Sequence, residues 1–127
     1  MNLRVLDKNF SVIRCSPEMT IEREWLEQDF ISITRTDEEL SIVIDSLVLQ
    51  QSSLSKVKIE DGWKAIKVIG PLDFSMVGVL AQLSHSLAQA EISIFVISTF
   101  DTDYILVKER DLAASILTLK KHGHLFV

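Results

Sequence analysis

Two apolar runs, Ile92–Ile97 and Tyr104–Val107, enclose the polar knot Ser98-Thr99-Phe100-Asp101-Thr102-Asp103. Ile, Val, Phe and Tyr dominate the flanks, which marks them as strands, and the hydroxyls and two carboxylates between them mark a tight turn. Strands apolar at nearly every position are buried on both faces, so the tip is where polar groups can meet a ligand. A degraded copy lies half a chain earlier, in Ile33-Thr34-Arg35-Thr36-Asp37-Glu38-Glu39-Leu40-Ser41-Ile42-Val43. Matched by residue type, Ile33 falls on Ile97, Thr34 on Ser98, Arg35 on Thr99, Asp37 on Asp101, Glu39 on Asp103 and Val43 on Val107. An internal duplication is the simplest reading.

The rest of the chain fills in around these hairpins. Leu3–Leu6 and Phe10–Cys15 flank the turn-like Asp7-Lys8-Asn9 and predict a further hairpin. Thr20–Gln28 predicts one or two helical turns with Thr20 as N-cap. Phe30–Thr34 and Leu40–Ile44 form the first-copy hairpin. The polar stretch Asp45–Ser55 reads as a linker, a strand extension or a helical turn, and Asp61-Gly62 marks a turn. Trp63–Ile69 alternates as a strand. Asp73 is positioned to cap a helix over Phe74–Gln89, with Phe74, Val77, Leu80, Ala81, Ser84, Leu87 and Ala88 along one stripe. Asp111 can cap a second helix through Lys121, with Leu112, Ile116 and Leu119 inward and Gly123 at the left-handed C-terminal position. Leu125–Val127 closes the chain as a strand. The order from residue 63 onward is β-α-β-β-α-β, so the expected fold class is α+β and ferredoxin-like. Residues 1–60 are expected to form an N-terminal half of the same kind with at most one short helix, and residues 61–127 the complete C-terminal domain.

Composition narrows the function. The 127 residues carry 13 basic and 18 acidic side chains, a formal charge of −5, with no basic cluster for a phosphate backbone. Cys15 is the single cysteine, so a disulfide framework or multi-cysteine metal site is excluded. No apolar run is long enough to span a bilayer, and the first residues lack the apolar core of a signal peptide. The expected setting is cytoplasmic, with neither nucleic acid nor membrane as partner.

The chemistry-bearing residues gather at two places. A helix beginning near Phe74 offers backbone N–H groups and a positive dipole end, suited to a carboxylate, although Asp73 as a cap can occupy them. Asp101 and Asp103 suit an ammonium group, and the two poles together suit a free amino acid. Residue types alone favour an ordinary turn over a site. A general acid/base pair at Asp101 and Asp103 lacks a spaced nucleophile. His122-Gly123-His124 reads as a pair of helix-end partners rather than a metal site, Cys15 as a small core residue, and Trp25 and Trp63 as packing groups. No phosphate loop or cofactor motif is present. Apolar residues on both faces of the central strands imply a sheet covered twice, by helices and by a second copy of the chain.

The string Ile97-Ser98-Thr99-Phe100-Asp101-Thr102-Asp103-Tyr104-Ile105-Leu106-Val107-Lys108, with Trp63–Phe74 and Gly78-Val79-Leu80-Ala81, resembles the small bacterial ACT-domain proteins, relatives of the ACT modules of the animal cytosolic arginine sensors. Ser32–Val43 extends the likeness to nearly the whole chain. The resemblance implies two ACT-like halves in tandem and a non-catalytic sensing or regulatory protein that binds an amino acid between ACT units. It implies that Asp73, Phe74, Ser75, Met76, Val77 and Gly78 line the ligand's backbone, that Ser98, Thr99 and Phe100 form the adjoining wall, and that Asp103, with Asp101 beside it, supplies the carboxylate. Thr34, Arg35 and Thr36 would offer the wall of an opposing unit. A pure interaction module with a vestigial pocket and a small-molecule enzyme built on Asp101 and Asp103 are the competing readings.

Overall fold

In chain order the elements are strands β1 (Asn2–Val5) and β2 (Phe10–Cys15), helix α1 (Arg23–Leu26), strands β3 (Ile31–Arg35) and β4 (Leu40–Asp45), helix α2 (Ser46–Gln50), strand β5 (Lys58–Val68), helix α3 (Val79–Gln89), strands β6 (Ile94–Ser98) and β7 (Asp103–Lys108), a 3-10 turn over Glu109–Asp111, helix α4 (Leu112–Lys121) and strand β8 (Leu125–Phe126). The computed structural model describes residues 1–70, 72 and 77–127. They form two units, Lys8–Trp63 on one hand and Met1–Asp7 with Lys64–Val127 on the other. The boundary expected after residue 60 therefore falls at Trp63, with Met1–Asp7 joined to the C-terminal part. The opening residues belong with the C-terminal part because β1 pairs with β5 and β8.

The unit Lys8–Trp63 orders its strands β3-β4-β2-β5. The expected hairpin over Phe30–Ile44 is present, with Ile31 opposite Ile44 and Arg35 opposite Leu40. Alternate residues Ile13, Cys15, Leu40, Ile42 and Ile44 point into one core, where Trp25 of α1 and Leu49 of α2 meet them. Trp25 is fully buried and its indole N–H donates to Ser52 Oγ at 3.0 Å, so the largest side chain of the core carries no unmet donor. Both helices are a single turn, one more than anticipated. Glu22, not Thr20, occupies the N-cap of α1, without a side-chain hydrogen bond. Asp45 caps α2 by accepting from Leu47 N–H at 2.9 Å.

Two turn signals have other outcomes. Asp7-Lys8-Asn9 does not close a hairpin: β1 pairs with Ile66–Val68 of β5, whereas β2 pairs with Lys58–Trp63 and with β4. Asp61-Gly62 does not turn the chain either. Phe10 pairs with Trp63 and Val12 with Glu60, so β5 carries one extra residue there. Gly62 takes φ +79 at that bulge, the left-handed conformation glycine tolerates. The side chain of Asp61 accepts a hydrogen bond from the buried Ser11 hydroxyl, which lies 2.7 Å from Ser46 Oγ.

The second unit has strand order β6-β7-β5-β1-β8. Without β1 this is the ferredoxin-like arrangement of β5-α3-β6-β7-α4-β8, so the N-terminal strand is an insertion between β5 and the last strand. Leu3, Ile66, Val68, Ile105 and Val107 pack against Leu83 and Leu87 of α3 and Leu119 of α4, all fully buried. Helix α3 starts at Val79, later than the expected Phe74, because Val77 and Gly78 form a turn in which Gly78 adopts φ +86. Its buried residues are Leu83, Ser86 and Leu87, with the expected Leu80 packed partly buried against the same core, while Val77, Ala81 and Ala88 are exposed. On α4 the fully buried residues are Ser115 and Leu119, the expected Leu112 packs partly buried against the same core, and Gly123 takes the anticipated left-handed position at φ +91. The expected cap Asp73, and Phe74, Ser75 and Met76 with it, lie outside the described residues.

Candidate ligand-binding site

The β6–β7 hairpin closes with Ser98 opposite Asp103, leaving a four-residue turn, Thr99 to Thr102. Thr99 holds the turn at both ends. Its N–H donates to Thr102 O at 2.8 Å, and its hydroxyl oxygen lies 3.0 Å from the same carbonyl and accepts from Thr102 N–H at 3.3 Å. Ser98 Oγ donates to Asp103 Oδ1 at 2.5 Å, which fixes that carboxylate beside the strand ends. The turn is anchored to its own unit twice. Buried Thr102 donates its hydroxyl to Val68 O at 2.5 Å, and Leu72 N–H donates to Asp101 O at 2.7 Å.

Between this turn and the start of α3 lies a cavity of about 340 Å³, lined by Leu72, Gly78–Ala81 and Ser98–Asp103. Gly78 occupies the N-cap of α3 without a side-chain hydrogen bond, and the residues of the first helical turn, Val79–Ala81, line the cavity beside it. The first N–H groups of any helix have no partner inside it, which gives this wall a partial positive charge. Asp101 and Asp103 supply the negative wall, and Phe100, 80% exposed, stands as an apolar flap beside them.

Of the residues expected here, Gly78, Ser98, Thr99, Phe100, Asp101 and Asp103 share the cavity. Val77 does not line it, being 93% exposed. Thr34, Arg35 and Thr36 belong to the Lys8–Trp63 unit. Arg35 donates to the carbonyls of Pro17 and Met19, at 3.0 and 3.5 Å, rather than to Asp37. Thr36 is engaged by its own turn, accepting from Glu38 and Glu39 N–H at 3.1 Å each. Thr102, Leu72 and Val79–Ala81 line the cavity as well, beyond the residues expected there. Thr102 was detectable as the hydroxyl between the two acids, but the helix-start residues were hidden by the misplaced helix boundary.

The remaining candidates carry little chemistry. Cys15 is buried and its burial pushes the thiol above its ordinary value, the opposite of an activated nucleophile. His85, His122 and His124 border one shallow cavity with Gln82 and Ser86. No group of three or more His, Cys, Asp or Glu among the described residues is arranged to hold a metal ion. No helix among them is long and apolar enough to cross a membrane.

Known proteins share both the sequence and the fold. The ACT domain family model matches residues 58–121. The chain is 34% identical over 114 residues to the human protein CASTOR3P, an alignment covering 80% of this chain and 70% of that protein. It is 33% identical over 97 residues to the human cytosolic arginine sensor for mTORC1 subunit 1, covering 76% of this chain and only 28% of the sensor. The crystal structure of protein Atu0741 from Agobacterium tumefaciens superposes with a TM-score of 0.86 at 33% identity, over 99% of this chain and 91% of that one. By the span of the family match and the extent of these likenesses, the chain belongs to the ACT-domain family.

Proposed function

We propose that this protein is a non-catalytic regulatory module that binds a free amino acid in the cavity between the Ser98–Asp103 turn and the start of α3. The observation that carries the reading is the pairing of two poles across one cavity: helix-start backbone on one wall, Asp101 and Asp103 on the other. A carboxylate is accommodated by unpaired helical N–H groups, and an ammonium by carboxylates. A free amino acid offers both. The likeness to a protein named as an arginine sensor supports the ligand class, and that relative's name places it in the cytosol, the setting proposed here as well. Asp103 is the residue assigned to the cationic end of the ligand, since Ser98 holds its carboxylate in place.

The strand order of the Lys8–Trp63 unit, β3-β4-β2-β5, is that of the second unit without its insertion, so we read it as a second ACT-like module. Arg35 and Thr36 are spoken for by backbone groups, which leaves its turn without a comparable site. Assembly through copies of the chain fits β6, which pairs only with β7 among the described strands and carries no charged residue.

Calorimetric titration with each proteinogenic amino acid tests the proposal. At least one should bind with Kd below about 1 mM, and Asp103→Ala should weaken it by roughly tenfold or more. Absence of binding by all of them, or an affinity that Asp103→Ala leaves unchanged, rejects it.

A further inference from the structure

A second cavity, of about 330 Å³, adjoins the same turn and is lined by Arg4, Lys67, Ile69, Gly70, Asp101 and Thr102. Its charge is the unusual feature. Arg4 and Lys67 are direct partners across the antiparallel β1–β5 pair. Their neighbours Leu3 and Val68, also partners, point into the helix-covered core, so alternation sends both cations to the opposite face of the sheet. Directly opposed residues have Cβ atoms only about 5 Å apart, and like charges at such positions repel.

Nothing among the described residues neutralises them. Neither cation has a carboxylate of the described residues within 4.0 Å, and the Lys67 ammonium rests 5.8 Å from the centre of the Tyr104 ring. Asp101 borders the cavity without pairing with either. The opposed cations therefore stand in a recess whose Gly70 contributes no side chain. A β-carbon added there would come within 2.7 Å of Leu72 N and 3.2 Å of Asp101 O, so glycine is the residue that fits.

We propose that this recess is a separate site for a small oxyanion, a phosphate or carboxylate group of a soluble metabolite, bridged by Arg4 and Lys67. The guanidinium offers a planar pair of N–H donors and the ammonium a point charge, a combination that matches a group with several anionic oxygens. The anion removes the repulsion between the two strands as it binds. Asp101 and Thr102 line both cavities, but the cations belong to β1 and β5, neither of which borders the amino-acid cavity.

Titrations with inorganic phosphate and with succinate, monitored by amide chemical shifts at constant ionic strength, test this and separate the two anion sources. Saturable shifts centred on Arg4, Lys67 and Gly70 are expected for at least one of them at concentrations up to about 10 mM. Arg4→Gln and Lys67→Gln should each weaken that binding by roughly tenfold. Arg4 is exposed, so its variant keeps the test alive should Lys67→Gln misfold. Asp103→Ala should leave anion binding unchanged, so failure of this site and failure of the amino-acid site are read separately. No saturable response to either anion, or a response that the Arg4→Gln/Lys67→Gln double variant retains, overturns the proposal.

Discussion

The two hairpins, β3–β4 and β6–β7, are the same device put to different ends. In each, a threonine begins the turn: Thr36 N–H donates to Glu39 O at 2.8 Å, as Thr99 N–H does to Thr102 O. The closing pairs are Arg35 with Leu40 and Ser98 with Asp103. Hydrogen bonding therefore sets Thr36 on Thr99 and Leu40 on Asp103, one residue away from the correspondence that residue types suggested. The cores agree with the hydrogen bonds, since Ile42 and Ile44 fill one as Ile105 and Val107 fill the other. A one-residue slip would turn each of these side chains to the wrong face. Among the positions where the hairpins differ, one contrast bears on the site: a fully buried leucine stands where the other hairpin holds a carboxylate at the edge of a cavity.

Exchanging that position gives the largest expected effect. Leu40→Asp forces a carboxylate into a closed core and should cost roughly 3 kcal/mol or more, whereas Asp103→Leu, half-buried, should change stability by only about 1 kcal/mol. Urea denaturation of the two variants measures both, and equal losses would undo the equivalence. Gly70→Ala should come next. Its β-carbon meets the backbone that anchors the second turn, for a cost of about 1–3 kcal/mol, with shifted amide signals over Ser98–Asp103 and none over Arg35–Leu40.

Smaller and more alike should be Thr36→Ala and Thr99→Ala. Each removes one side chain's hydrogen bonds within a turn, worth about 1 kcal/mol, and matching losses in thermal melts would sharpen the claim that the turns are homologous in structure. The smallest effect concerns pH. Burial, then the amino-terminal charge, then His122 hold the His124 pKa below the ordinary histidine value. The unfolded chain then binds more protons, so the stability His124 confers is complete above its unfolded pKa of about 6.5 and is lost as pH falls from there toward the folded value. His124→Asn should flatten the acid limb of the melting profile; an unchanged slope would place the titrating group elsewhere.

Much of this was legible in the residues because the signals were local. The apolar runs around Ser98–Asp103 fixed a hairpin, and Gly123 after a lysine-ended helix fixed its terminus. Where partners were distant, the reading failed. Asp7-Lys8-Asn9 has the composition of a turn, yet β1 and β2 each find β5, whose length lets it serve both. Asp61-Gly62 is as good a turn signal as any, but the strand absorbs it as a bulge in which the Ser11 hydroxyl donates to the Asp61 carboxylate. At α3 the periodic pattern runs back past the true start, and only the left-handed backbone of Gly78 ends it. The cation pair Arg4 and Lys67 was invisible for the same reason: no spacing along the chain announces a neighbour across an inserted strand.

That inserted strand also sets an order of events during synthesis. The Lys8–Trp63 unit is contiguous, so all its strands are at hand once Trp63 has emerged. The other unit needs β1, made before β5, to wait for it, and β8 then to dock in parallel along β1 through Leu125 N–H to Met1 O and Val127 N–H to Leu3 O. Contacts that span nearly the whole chain close slowly. Strand β1, with Leu3 and Val5 beside Asn2 and Arg4, thus has no partner until β5 is made, so refolding of the second unit should be the slower phase.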